Sequence, residues 1–314
     1  MKKSYSVLFF LFLLNLTAIS QRVIEVSYQQ DAQGNYNFTC INRAYCNYVL
    51  LLGFTRFENA RSDHALPYME MVRPGNNKLF KISATNAKDP IQINYKTSYA
   101  KGCLDPHVDQ DFTYLLPVSP GKQVQAYEIG SAPKPDAAGK DAGSLYAIRL
   151  KMKPGDTIYA ARRGTVTMLD VSDSLNDSGA ANSGSGNYIE IVHADCSFGR
   201  YGILRRNSAL VKAGQLVEAG QPIGLVGGDK FGRGSEVRFS VYYNLPIQDP
   251  QAGRTGDQAN WAYIPIKFWT KTNGKGMLRH GADYSSEFPA VLLTQELPKT
   301  KQVPKKGKPK PKAK

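Results

Sequence analysis

A glycine-punctuated stretch in the second half of the chain constrains the fold more than any other sequence feature. Residues 211–227 read VKAGQLVEAGQPIGLVG, where short apolar runs alternate with the Gly-Gln pairs 214–215 and 220–221. Glycine at such positions allows the positive φ angles that tight turns between short strands require. The alternating apolar residues suit strands that bury one face against a common core. The stretch therefore predicts a compact antiparallel β fold.

The same pattern of short strands extends on both sides of this stretch. Turn signals such as Pro74–Asn77 separate strand-like runs, and long helical patterns are scarce. We predict an all-β protein with an N-terminal β-sandwich-like domain over 21–130 and a second antiparallel β domain over 144–243. Residues 131–143, rich in Ala, Pro and Gly, are predicted to be a linker. Residues 244–298 would form a C-terminal β extension that packs onto either domain.

The first residues have the pattern of a secretory signal. Lys2 and Lys3 give a positive start, and an apolar run follows from Val7 to Leu16. Residues 1–20 are therefore predicted to be a signal peptide, with Gln21 as the first mature residue. The alternative is an uncleaved anchor, although the run is short for a bilayer span, which takes about 20 residues. We expect an exported protein in the periplasm, at the outer membrane or outside the cell, with no later transmembrane segment and no nucleic-acid partner.

Four cysteines suit an exported chain that forms disulfides. They are Cys40, Cys46, Cys103 and Cys196. Four cysteines allow three pairings, and the sequence does not choose among them. Because three of the four lie in the first half, we expect a bridge there. Zinc binding by these thiols is the weaker alternative, since the chain has no CxxC pair.

The basic charge of the chain is concentrated at its C-terminus. The formal net charge is +14, and residues 299–314 contain eight lysines and no acidic residue. This Lys- and Pro-rich tail cannot bury a core and is predicted to be disordered. It would bind anionic envelope polymers through multiple screened charges. The alternative is a solubilising tail without a dedicated partner.

Five motifs follow one another in the second half of the chain. They are Pro154–Ala161 followed by Gly164–Val166, then Gly186–His193, Tyr201–Leu204, Val211–Gly227 and Gly234–Val241. In this order they resemble the strand and turn motifs of the lysostaphin-type (LytM-like) zinc endopeptidases. The resemblance covers about 90 residues and implies that family's β fold for the second domain.

The resemblance also implies where a zinc site would lie. The family binds zinc through an H-x-x-x-D motif and the second His of H-x-H, and a further His follows Tyr-Ala. In this sequence those positions hold Leu145, Arg149, Ile203, Glu236 and Arg238. Catalytic zinc needs three N, O or S ligands and one open position. The chain is therefore predicted to be a degenerate member without a metal or other cofactor. Zinc would be expected as a cofactor only if the protein were an active enzyme.

The side chains that replace the ligands suggest a remnant of the groove. Arg149, Glu236 and Arg238 would pair with one another where the ion sits in the family. This cluster is either a ligand site for carboxylates or an ion-pair plug. His193 matches a family histidine that is not a ligand, and we interpret it as a structural or groove-wall residue.

These observations lead to one function and two alternatives. The first is a non-catalytic envelope protein that binds peptidoglycan or a protein partner, as a scaffold or regulator of envelope machinery or cell-wall hydrolases. The second is an active endopeptidase that cleaves peptidoglycan cross-links with a non-standard metal site. The third is a structural subunit of an envelope complex.

Overall fold

The computed structural model describes residues 22–132, 145–172, 187–228, 234–245 and 261–297. The predicted signal peptide, most of the predicted linker and the lysine-rich tail lie outside these ranges. Within them, no helix combines the length and apolarity needed to cross a bilayer. The predicted all-β class is confirmed, since the described chain is built from strands and one helix of five residues.

The N-terminal part is a sandwich of two antiparallel sheets. Its strands are β1 (Ile24–Gln30), β2 (Tyr36–Asn42), β3 (Tyr48–Glu58), β4 (Arg61–Ser62), β5 (Tyr68–Val72), β6 (Gly75–Ser83) and β7 (Gln92–Lys101). One sheet has the order β1-β2-β6-β4 and the other β5-β3-β7. Alternate residues of facing strands, such as Phe38, Leu50, Leu52 and Ile82, form the shared core. This arrangement matches the predicted sandwich.

The second body contains the remaining elements. They are β8 (Thr113–Leu115), β9 (Gln123–Ile129), β10 (Ala147–Lys151), β11 (Thr157–Tyr159), β12 (Gly164–Asp170), β13 (Tyr188–Val192), β14 (Phe198–Gly202), β15 (Leu216–Val217), β16 (Pro222–Leu225), β17 (Glu236–Asn244), β18 (Trp261–Tyr263), β19 (Lys267–Thr270), β20 (Gly274–Gly276), β21 (Asp283–Ser285) and α1 (Ala290–Thr294). A large sheet runs β15-β12-β13-β14-β17-β10-β9-β21, with β18 also paired to β17. Two small sheets, β11-β16 and β20-β19-β8, complete this body.

The glycine-punctuated stretch folds as its pattern predicts. Gly214 has φ +83° and Gly220 has φ +78°, and each precedes the short strand that its Gly-Gln pair introduces. A side chain at Gly220 would also meet Leu293 at 2.7 Å, so this turn packs closely against the C-terminal helix. Both positions therefore need glycine for the reason inferred from the sequence.

The domain boundary differs from the prediction. β9 pairs with β10, with Ile129 opposite Ala147, so residues 131–143 connect neighbouring strands of one sheet and do not separate two domains. Tyr114 and Val124, which the prediction assigned to the N-terminal domain, are buried in the core of the second body. The C-terminal extension packs on the same body, because β18, β19 and β21 pair with β17, β8 and β9. The second body therefore begins near residue 112.

A disulfide joins the two bodies. It links Cys103, just after β7, to Cys196, between β13 and β14. The expected bridge within the first half is therefore wrong, since Cys40 and Cys46 are both free and buried. Burial raises the pKa of the Cys40 thiol to about 11 and that of Cys46 to about 12. The two free thiols lie in apolar surroundings that disfavour their charged form.

Candidate functional site

The structure brings together three of the predicted groove residues. Arg149 in β10 lies directly opposite Arg238 in β17. Glu236 precedes Arg238 by two positions, so both side chains lie on the same face of the sheet. The other face of these strands, with Ile148 and Phe239, is buried in the core. The pairing register therefore places both arginines and the glutamate on the outer face.

Glu236 lies between the two guanidinium groups. Its side chain is 1% exposed, and its Oε1 accepts a hydrogen bond of 2.8 Å from Nε of Arg238. Its Oε2 lies 3.5 Å from Nε of Arg149, which is an ion pair without hydrogen-bond geometry. A buried carboxylate between two guanidiniums is held by charge on both sides. The predicted Arg–Glu–Arg pairing is present.

Aromatic and cationic side chains continue this cluster along β9 and β10. The Arg149 guanidinium carbon lies 4.5 Å from the ring centroid of Tyr127, which is opposite it in β9. The Lys151 ammonium lies 5.2 Å from the same ring. Both contacts place a cation over an aromatic face, an attractive arrangement. The site is therefore strongly cationic on its β10 side.

The other two mapped positions carry apolar side chains. Leu145 lies just before β10 and is 39% exposed. Ile203 follows β14 with φ +68°, and its carbonyl accepts a hydrogen bond from the Gly227 amide. Neither side chain has an atom that ligates a metal or transfers a proton. Ile203 holds the turn through its backbone, and its side chain supplies no chemistry.

The residues at these positions do not fit zinc. Of the five, only Glu236 offers ligating atoms, while Arg149 and Arg238 are cations that repel a metal ion. Across the described ranges, no group of three or more His, Cys, Asp or Glu side chains is arranged to hold a metal. The donor set of this face therefore suits an anion and not a divalent cation.

His193 does not line the groove. It follows the end of β13 that pairs with Phe198, whereas the opposite end, at Tyr188, lies beside Gly202 and the arginine pair. Its Nδ1 lies 2.8 Å from the Arg163 carbonyl, and its ring is buried. The structure therefore places His193 in the protein interior, at the other end of β13 from the arginine pair.

The environment of His193 favours the neutral ring. Burial lowers its pKa, and the charge of Arg162 lowers it further. Its Nδ1 is then the donor to the Arg163 carbonyl, and Nε2 has no hydrogen-bond partner among the described residues. A neutral histidine packed in this way supports the loop between β13 and β14.

Sequence reasoning missed the far side of the groove. Arg200 in β14 stacks on Tyr188 in β13, with 3.7 Å between the guanidinium carbon and the ring centroid. Gly202, two positions after Arg200, lies opposite Arg238. The period-two alternation of β14 predicts that Arg200 and Gly202 share a face, but only the strand order reveals that Arg149 and Arg238 lie on the same face of the sheet.

Comparison with known families gives one match, which lies within the second body. Residues 144–250 match Peptidase family M23. This match confirms the family resemblance drawn from the motifs and extends slightly beyond the predicted domain. No curated protein matches the chain.

Several solved structures are similar at low identity. Lysostaphin, studied in solution by NMR, is 21% identical over 43% of this chain, with a TM-score of 0.28. The alignment spans 47% of that lysostaphin chain, less than half of its length. The prophage-encoded M23 protein EnpA from Enterococcus faecalis is 22% identical over 48% of this chain and 98% of its own, with a TM-score of 0.27. Csd3 from Helicobacter pylori is 16% identical over 81% of this chain and 77% of its own, with a TM-score of 0.30.

Proposed function

We propose that this protein is a non-catalytic component of the cell envelope that binds carboxylate groups of peptidoglycan or of a protein partner in the groove at Arg149 and Arg238. The observation that carries the proposal is the Arg149–Glu236–Arg238 cluster, which lies within the part of the chain that matches Peptidase family M23. The motif resemblance assigns these three positions to metal-binding and catalytic residues of the family. In this proposal the guanidinium groups of the cluster bind an anion at the place where the resemblance puts the family's metal.

The charge balance of the cluster supports a ligand. Two like charges directly opposite each other in neighbouring strands destabilise a sheet. Here one carboxylate, Glu236, faces both Arg149 and Arg238. In the described part of the chain, no hydrogen bond engages an Nη atom of either arginine, so both retain donors for a bound group. Planar guanidinium groups match carboxylates in bidentate geometry.

The cell envelope is the proposed location. Residues 1–20 have the pattern of a signal peptide, and the Cys103–Cys196 disulfide suits an oxidising compartment. The periplasm, the outer-membrane surface and the cell exterior all satisfy these two observations. We propose the lysine-rich tail, 299–314, as a second contact with anionic envelope polymers.

Retention on purified insoluble peptidoglycan tests the proposal. Loss of a charge-assisted hydrogen bond costs about 1.5–3 kcal/mol, so Arg149→Gln and Arg238→Gln should each weaken retention about 10- to 100-fold. Arg56→Gln is the matched control, since Arg56 lies on the N-terminal sandwich and pairs only with Glu58 in the described chain. A pull-down with envelope proteins and the same three variants tests whether the ligand is a protein partner.

Two results would contradict the proposal. The first is that Arg149→Gln and Arg238→Gln retain every ligand as strongly as Arg56→Gln does. The second is stoichiometric zinc together with chelator-sensitive digestion of peptidoglycan, which would establish the alternative of an active endopeptidase. That alternative is favoured by the match to a peptidase family alone. If only the tail contact is wrong, deletion of 299–314 leaves retention unchanged.

A further inference from the structure

Five residues form a straight row across the outer face of the large sheet. Pairing registers place Tyr127 opposite Arg149, Arg149 opposite Arg238, Arg238 opposite Gly202, and Gly202 opposite Tyr188. The row therefore crosses β9, β10, β17, β14 and β13 perpendicular to the strands. With neighbouring strands about 4.8 Å apart, it is roughly 19 Å long. We call it the five-strand row.

Each end of the row is an aromatic ring stacked with a cation. At one end the Arg149 guanidinium lies over the Tyr127 ring, and at the other end the Arg200 guanidinium lies over the Tyr188 ring. Stacking holds both guanidinium groups against the sheet and leaves their edges for hydrogen bonds. The ends therefore present fixed cationic edges beside flat apolar surfaces.

Gly202 makes a gap in the row. Its φ is not positive, so the backbone there does not require glycine. A Cβ atom at this position would have ordinary contacts only, with Arg238 Cβ at 3.8 Å and the Arg238 carbonyl oxygen at 3.9 Å. The absence of a side chain therefore leaves room between Arg238 and Tyr188. A chain lying along the row would approach the sheet most closely here.

The charge along the row is unbalanced. Arg149, Arg238, Lys151 and Arg200 face the row or flank it, while Glu236 is the carboxylate paired with the two central arginines. Three other acidic groups lie near the row, and one of them, Asp283 in β21, is exposed opposite Gln125 beyond the Tyr127 end. Glu190, opposite Arg200, is bound to Lys101, and Asp170, opposite Tyr188 at the end of the row, accepts hydrogen bonds from Ser172. The surplus of cations calls for an anionic occupant.

We propose that the five-strand row binds an extended acidic segment of a protein partner. This inference rests on the proposed function and names the ligand of the same groove. An extended chain rises about 3.3 Å per residue, so roughly six residues fill the row. Its alternate side chains, about 6.6 Å apart, reach Arg149 or Arg238 and then Arg200, which lies diagonally from Arg238 at about 7–8 Å. Its backbone passes over Gly202.

A labelled peptide tests the inference directly. The probe is a fluorescein-labelled hexapeptide of alternating glutamate and serine, and the reference probe replaces glutamate with glutamine. Binding to the full chain is followed by fluorescence anisotropy at low salt, where charge contacts are strongest. We expect the acidic probe to bind at least about 10-fold more tightly than the neutral one.

The decisive variant fills the gap without changing charge. Gly202→Leu should weaken binding of the acidic probe at least about 10-fold, because the side chain occupies the space over which the peptide passes. Gly276→Leu is the matched control, since Gly276 also lies in a strand and a Cβ there meets nothing within 4 Å. Circular dichroism checks that both variants fold. If Gly202→Leu does not fold, Gly202→Ala and Arg200→Gln replace it, with weaker binding expected from each.

The outcomes separate this inference from the proposed function. Unchanged binding by Gly202→Leu, or equal binding of the acidic and neutral probes, overturns the acidic segment as ligand. Tighter binding of inorganic polyphosphate than of the peptide overturns it in favour of a phosphate polymer. Retention on peptidoglycan that depends on Arg238, without binding of the acidic probe, overturns the inference and leaves the proposed function standing. If neither retention on peptidoglycan nor binding of the acidic probe depends on Arg149 and Arg238, both the inference and the proposed function are overturned.

Discussion

Lys101 and Glu190 form a buried ion pair between the N-terminal sandwich and the second body. The Lys101 ammonium lies 2.5 Å from Oε1 of Glu190, whose side chain is 2% exposed. Glu190 also accepts hydrogen bonds from Thr167 and Tyr242. The ammonium lies over the Phe198 ring, 5.0 Å from its centroid. Together with the neighbouring disulfide, this pair links the N-terminal sandwich to the second body.

Removal of the Lys101 ammonium should destabilise the fold, because the Glu190 carboxylate would remain buried without a cation. Lys101→Met leaves Glu190 without its cation, and breaking a buried pair costs about 3–5 kcal/mol. We expect urea denaturation to show a loss of that order in the free energy of unfolding. The double variant Lys101→Met/Glu190→Gln should recover part of the loss, because no charge is then left unpaired. Equal losses in the single and double variants would contradict this account.

The same pair predicts loss of stability in acid. Burial raises the pKa of Glu190, but Lys101 and the hydrogen bonds outweigh burial and hold the pKa below the usual 4.5. A carboxyl with a depressed folded pKa stabilises the fold above the unfolded pKa, and this contribution is lost as pH falls through the folded pKa. The free energy of unfolding should therefore fall as the pH drops below about 4.5 and through the lowered pKa of Glu190. The double variant should show a shallower decline in the same urea titrations.

The disulfide should stabilise the joined bodies substantially. Cys103 and Cys196 are 93 positions apart in sequence, so the bridge closes a long loop in the unfolded chain. Replacing both by alanine should lower the free energy of unfolding by about 2–5 kcal/mol. Thermal denaturation with and without dithiothreitol measures the effect. The alanine variant itself should be insensitive to the reductant, and equal sensitivity in both proteins would contradict the assignment.

The free thiols should be unreactive in the folded protein. Burial raises the pKa of Cys40 to about 11 and of Cys46 to about 12, and both side chains are enclosed. Since the thiolate is the nucleophile, iodoacetamide near neutral pH should modify neither residue before unfolding and both after it. Mass spectrometry of intact and digested protein provides the count. Rapid labelling of either thiol in the native state would show that the position is open.

An ion pair between the buried Arg162 and Glu296 should stabilise the packing of the C-terminal segment. Arg162 is 3% exposed and binds Glu296 through Nε and Nη2, with Nη2 2.7 Å from Oε1. Its guanidinium carbon lies 3.7 Å from the Phe112 ring centroid. Glu296→Gln should lower the free energy of unfolding by about 1–3 kcal/mol, because one charge-assisted contact of the buried cation is lost. The control Glu70→Gln, at an exposed position of β5, should leave thermal denaturation unchanged.

Much of the second body could be predicted from residues alone. Gly214 and Gly220 adopt the positive φ angles that their Gly-Gln pairs predict. The resemblance led us to expect that Arg149, Glu236 and Arg238 pair with one another, and the structure contains both ion pairs. The turns could be predicted because their conformations depend on neighbouring residues.

Other features were outside the reach of sequence patterns. The composition of 131–143 resembles a linker, yet it connects two paired strands. His193 lies in one of the motifs, but only the strand register shows that it lies at the opposite end of β13 from the arginine pair. Alternation shows that one face of a strand is buried, but it does not show which core buries it.

The sequence by itself determined the class of fold and the turns of the second body, because each depends on residue identity at a given position. Only the tertiary structure decided that Cys103 pairs with Cys196, that Lys101 neutralises Glu190, and that a five-strand row crosses the sheet. These relationships join residues that are far apart along the chain. They arise when strands from distant segments select one another through a shared core, which local patterns do not specify.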